Sequence, residues 1–221
     1  MKKVLIIIIS LFLITGLAGC KTEPSESSIS KDWKDFEFEL DGVLHKSPWS
    51  FVDFGDNGWR IMDDVNYDIQ PNSRSFEFYM IISDSHYDKG YKYYSNITVE
   101  FENRTDEVKK MKECDIRWLS FQNLPAELNS DIDMSHIAYD LKLAKGISWG
   151  ATEEQVIAAY GNVEEEFRAQ RDKFSVLQYY TLTDDNLLSI MNLAFYNDSL
   201  YAVNFFRYYV EAGYEHTGVQ L

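Results

Sequence analysis

Cysteine is scarce in this chain: its 221 residues contain two, Cys20 and Cys114. Two thiols cannot supply the disulfide framework that braces small secreted domains, so stability has to come from an apolar core. Positive charge is also short, with 21 Lys and Arg against 36 Asp and Glu and a formal net charge of −15. A chain this acidic repels phosphate backbones and anionic lipid, which argues against nucleic-acid binding and suits solubility, cationic partners or divalent cations. Histidine is limited to His45, His86, His136 and His216, scattered without metal-ligand spacing. The sequence has no phosphate loop and no H-E-x-x-H helix. No histidine is placed to activate a serine or cysteine nucleophile. Carboxylates do occur side by side, at Asp63-Asp64 and Glu164 to Glu166. Neighbours point apart on either regular element, so these read as solvated turns or faces and not as acid/base pairs. A non-enzymatic protein without a cofactor is the expectation.

What the chain does have begins at its start. Met1, Lys2 and Lys3 precede an apolar run from Val4 to Ile14, and Gly16, Ala18 and Gly19 lead up to Cys20. A charged start, a short apolar stretch and small residues describe a secretory signal peptide; a membrane-spanning helix needs a longer apolar run, of about 20 residues. Leu17-Ala18-Gly19-Cys20 resembles a bacterial lipobox. That resemblance implies that Cys20 is acylated on its thiol, that residues 1–19 are removed, and that the protein sits on the extracytoplasmic face of the cell membrane. Residues 20–31, including "KTEPSESSISK", are polar and serine-rich and read as a flexible tether.

Beyond the tether the hydrophobic period is mostly two. "SNITVEFEN" sets Ile97, Val99 and Phe101 on one face, and "SFEFYMII" groups Phe76, Phe78, Met80 and Ile82. "ECDIRWLSF" groups Cys114, Ile116 and Trp118, which predicts a buried thiol and a core tryptophan. "SVLQYYTL" predicts a strand closed by Asp184, Asp185 and Asn186, and "IMNLAFYNDSLYAVNFFRY" predicts a hairpin around Asn197-Asp198. One helix stands out. "GATEEQVIAAYGN" has Thr152 and Gln155 at capping-box spacing, an apolar face of Val156, Ile157 and Tyr160, and Gly161 as a stop.

The halves run in parallel. "SPWSFVDFGD" and "GATEEQVIAAYGN" each give a helix-like stretch ending in aromatic-Gly-(Asp/Asn), followed by strands and a hairpin. The first half has a longer, lysine-rich turn at Val108 to Lys112. The expected fold class is therefore α+β: two similar units, over 32–125 and 126–221, each a short helix packed on an antiparallel meander.

"KGISWGATEEQVIAAYGN" followed by three strands resembles the module shared by β-lactamase-inhibitor-like proteins and the small outer-membrane assembly lipoproteins. Gly150, Thr152, Glu154, Val156 and Gly161 carry the likeness, over about 60 residues of the second half. Val163 departs from it, standing where those families often have proline; the inhibitors' disulfides also have no counterpart. The resemblance implies a module that works by binding another envelope protein.

Two further stretches have site-like chemistry. "SDSHYDKG" places Asp84, His86 and Asp88 at alternate positions, a metal-holding pattern on a strand, although a polar hairpin end fits Lys89 and Gly90 better. "DFGDNG", Asp53 to Gly58, lacks the ligand spacing of a calcium loop and reads as a turn into Trp59. Trp49, Trp59 and Trp149 stand beside proline or glycine and are the candidates for exposed binding aromatics, which a glycan or small solute would use. Protein binding is the leading expectation, and glycan or small-solute binding through such aromatics is the alternative.

Overall fold

The computed structural model describes residues 29–61, 68–75, 79–83, 97–128 and 139–218. Cys20, Asp63-Asp64 and the Asp84, His86, Asp88 group lie outside the described residues.

Two short strands open the fold, β1 (Phe38–Leu40) and β2 (Val43–His45), joined through Asp41 and Gly42 at positive φ. Helix α1 (Phe51–Asp56) follows, with the Ser50 hydroxyl accepting from the Asp53 amide at 3.3 Å. It ends at an Asn57-Gly58 turn into β3 (Trp59–Ile61), so "DFGDNG" is helix over its first four residues and turn over its last two. Next come β4 (Asp68–Ile69), β5 (Ser73–Arg74), β6 (Tyr79–Ser83), β7 (Ile97–Asn103), β8 (Lys109–Lys110) and β9 (Asp115–Gln122). Strand β10 (Leu141–Leu143) leads to helix α2 (Glu153–Tyr160). The chain then forms β11 (Arg168–Arg171), β12 (Phe174–Leu182), β13 (Leu187–Tyr196) and β14 (Ser199–Tyr209).

Among the described residues nine strands make the main sheet, in the order β11-β12-β13-β14-β9-β7-β6-β3 with β5 beside β7. Every pairing is antiparallel. Smaller sheets are β10-β1-β2 and β4-β8. The α+β expectation holds in its coarse form, weighted towards β: the described residues contain two α-helices, of six and eight residues. The division into two units is not plain. The main sheet runs unbroken through the β14–β9 pair, β1 pairs with β10, and the first half carries a β4–β8 ladder where the sequence suggests only a longer turn.

One face of the main sheet carries the core. Ile97, Val99, Phe101, Leu119, Phe121, Leu193, Phe195, Val203 and Phe205 are all at most 1% exposed. Phe38, on the small sheet, caps this face, stacking 5.6 Å from Phe205 and edge-on 5.0 Å from Phe121. The helices close the layer: Phe54 of α1 and Val156 of α2 are fully buried. Helix α2 is built as its sequence reads. The Thr152 hydroxyl accepts from the Gln155 amide, the Gln155 side chain accepts from the Thr152 amide, and Gly161 ends the helix at φ +97°.

Candidate functional site

The other face of the main sheet carries a second set of side chains, ordered by strand register. Tyr180, Ile190, Phe206, Trp118 and Glu100 stand opposite one another across β12, β13, β14, β9 and β7. Two residues along, Gln178, Asn192, Asn204, Ser120 and Thr98 form a polar row parallel to it. The Gln178 side-chain amide donates to Asn192 Oδ1 at 2.8 Å. Rings of Trp118 and Phe206 lie 6.1 Å apart, and Tyr180 and Leu182 are well exposed.

Trp118 is on this face because of a β-bulge. Register slips between Glu100 and Phe101: Glu100 faces Trp118, Phe101 faces Ile116, and Arg117 is the extra residue between them. One extra residue reverses the alternation. Ile116 is therefore core, as its period suggests, while Trp118 is turned to the opposite face and only half-buried. The expectation of a core Trp118 is thereby corrected. The bulge also positions Arg117, whose Nε lies 2.9 Å from Glu100 and whose guanidinium sits 5.5 Å over the Tyr208 ring. Arg74 reaches Glu100 from β5 at 3.8 Å. Burial pushes the Glu100 carboxyl up, while Arg117 and Arg74 pull it down. A charged, tyrosine-backed corner thus borders the aromatic row.

The tryptophans expected at the surface are distributed differently. Trp49 is 1% exposed, packed 5.2 Å from Phe205, and Trp59 is 5% exposed, between Phe54 and Tyr139. Their proline and glycine neighbours turn the backbone, but the indoles point into the core, so neither is a surface platform. Trp149 is half-buried and lines an open groove of about 660 Å³ with Lys145, Ser148, Gln155 and Ala158. Its Nε1 donates to the Tyr139 carbonyl at 2.7 Å, which fixes the ring as one wall.

Other polar groups are structural. Cys114 is 1% exposed and burial pushes its thiol up to about 11, in line with a core thiol. His45 is 4% exposed, stacked 4.4 Å from Phe54 and 5.1 Å from Phe38, and burial holds its imidazole down at about 4. Glu164 to Glu166 are exposed, on and beside a 3-10 turn over Glu165–Phe167. Among the described residues no group of three His, Cys, Asp or Glu could hold a metal ion, and no helix is long and apolar enough to cross a membrane.

Comparison with protein families, curated proteins and solved structures finds no match. The site therefore rests on its geometry. Its aromatic members have a signal in the sequence that period-two grouping passes over. Tyr179-Tyr180, Phe205-Phe206 and Tyr208-Tyr209 are aromatic doublets within strands. Adjacent strand residues face opposite ways, so each doublet puts one ring on each side of the sheet. Trp118 has no such signal, because its placement depends on the bulge formed with β7.

Proposed function

We propose that the protein is a lipid-anchored, non-enzymatic component of the cell envelope, held at the extracytoplasmic face of the membrane through Cys20, that binds another protein through the outer face of its sheet. The observation that carries this reading is the row of Tyr180, Phe206 and Trp118 flanked by Asn192 and Asn204. Aromatic rings held on strands bury a large area with little loss of side-chain entropy, and amides between them supply adaptable hydrogen bonds. That is the composition of protein-binding surfaces. The lipobox and the net charge support an envelope protein that does not take nucleic acid. The resemblance of the second half to binding modules of envelope proteins agrees with it. In this reading the two halves descend from one helix-and-four-strand unit. Strand order supports the idea, since β3-β6-β7-β9 and β11-β12-β13-β14 each run from an edge to the centre of the sheet.

The test is crosslinking in intact cells, comparing the native chain with a Trp118→Glu, Phe206→Glu double variant whose fold is verified by its melting curve. Loss of specific crosslinked partners is expected; a variant that keeps all of them removes the reading. The groove beside Trp149 favours a second reading, binding of a glycan or small solute against that indole. Retention on immobilised cell-wall polysaccharide, abolished by Trp149→Ala, would support it, and indifference to that substitution would dismiss it.

A further inference from the structure

After Tyr209 the chain leaves β14 and turns back over the same sheet face. The Val210 amide donates to the Asn186 carbonyl at 2.9 Å, and a turn with Gly213 at φ +84° is closed by the Tyr214 amide on the Glu211 carbonyl at 3.1 Å. This reversal carries His216 across to β12. Its ring stacks on Phe167 at 5.5 Å and 16°, lies 4.9 Å from Tyr180, and places Nε2 2.5 Å from Gln178 Oε1, at the end of the amide row. Burial, and after it the neighbouring Tyr214, push the Tyr208 phenol up. Further on, Gly218 lies flat on the turn at Glu166. A Cβ there would stand 2.1 Å from the Glu166 carbonyl oxygen, and φ is +87°, so only glycine fits. Leu188 and Ile190 are 0% and 5% exposed although they stand outside the main core, in the sector this segment crosses.

The hold is that of a bound peptide and not of a structural element. Residues 211–215 and Thr217 are exposed, and the segment belongs to no strand. Side chains in a cleft lined by Phe167, Gln178, Tyr180 and Tyr208 provide its anchoring. We propose that residues 210–218 are a built-in pseudo-ligand, filling a peptide-binding cleft at one end of the recognition face until a partner segment displaces them. The proposal rests on the reading of that face as a protein-binding surface. It also specifies the partner: an extended segment presenting an aromatic ring and, two residues on, a flat ring that stacks between Phe167 and Tyr180. It carries basic residues beside and between those rings, because the face it would meet borders the acidic turn Glu164 to Glu166 on a chain whose net charge of −15 includes Glu211 and Glu215 of the resident segment.

The test uses the full chain with His216→Ala and Gly218→Val, which free the segment, and a fluorescent peptide of residues 209–218. The freed chain is expected to bind the peptide saturably, and the native chain about tenfold or more weakly because its cleft is self-occupied. A peptide with lysine at both glutamate positions is expected to bind the freed chain more tightly, and one with alanine for its histidine to lose binding. Equal binding by native and freed chains, or none by either, overturns the proposal. Amide exchange of the native chain is the independent measurement: residues 210–218 should open faster than β13, and exchange of both at one common rate overturns it too. Peptide binding without any effect of Trp118→Glu and Phe206→Glu on crosslinked partners would retain the pseudo-ligand while removing the protein-binding reading.

Discussion

His45 shows how a single side chain ties stability to pH. It lies between Phe38 and Phe54, and among the described residues its Nε2 has no hydrogen-bond partner. Burial lowers its pKa to about 4, with Asp53 opposing in part. Above the ordinary imidazole value near 6.5 both folded and unfolded chains hold it neutral. Between 6.5 and 4 the unfolded chain takes a proton that the folded one refuses, so stability falls as pH falls through that window and levels off below it. The loss is on the order of 3 kcal/mol. Denaturant titrations at pH 7.5 and 4.5 should show it, and His45→Phe, which suits the aromatic stack, should flatten the slope. Cys114 behaves as an inert core group. With its thiol raised to about 11, it should react with a thiol reagent only at the rate of unfolding, measured with and without denaturant; rapid labelling of the native chain would contradict its burial.

Elements whose signals are local form where the sequence places them. Helix α2 has its capping box, and Thr152→Ala should cost about 1 kcal/mol in an equilibrium melt by removing the acceptor for the Gln155 amide. The β13–β14 hairpin turns at Asn197 and Asp198, both at positive φ, and Asp198 Oδ1 also accepts from the Glu153 amide at 3.1 Å. One residue thus joins the turn to the first turn of α2. Asp198→Ala should cost more than Thr152→Ala, because it adds left-handed strain to a lost hydrogen bond, whereas Asp198→Gly should recover the strain component. The bulge in β9 could not be read in this way. Period two assigns Ile116 and Trp118 to one side, and only pairing with β7 inserts Arg117 as the odd residue. Within a single segment nothing marks where its partner will slip.

At the scale of the whole molecule, the halves share a core. Phe38 of β1 packs on Phe121 of β9 and Phe205 of β14, and β9 pairs with β14 at the centre of the sheet. Unfolding is therefore expected as one cooperative transition, the same by far-ultraviolet dichroism and tryptophan fluorescence, and Phe205→Ala should shift both together by about 3–5 kcal/mol. Two separated transitions would mean that the halves stand alone. The chain by itself determined the long strands of the main sheet, the capped helix, the buried thiol and the reliance on an apolar core, because each follows from neighbours a few residues apart or from composition. Tertiary structure alone decided which tryptophans are buried, how the halves merge into one sheet, and that a bulge, paired doublets and a returning segment assemble an aromatic face. Those outcomes depend on contacts between residues tens of positions apart, and such contacts leave no period in the sequence.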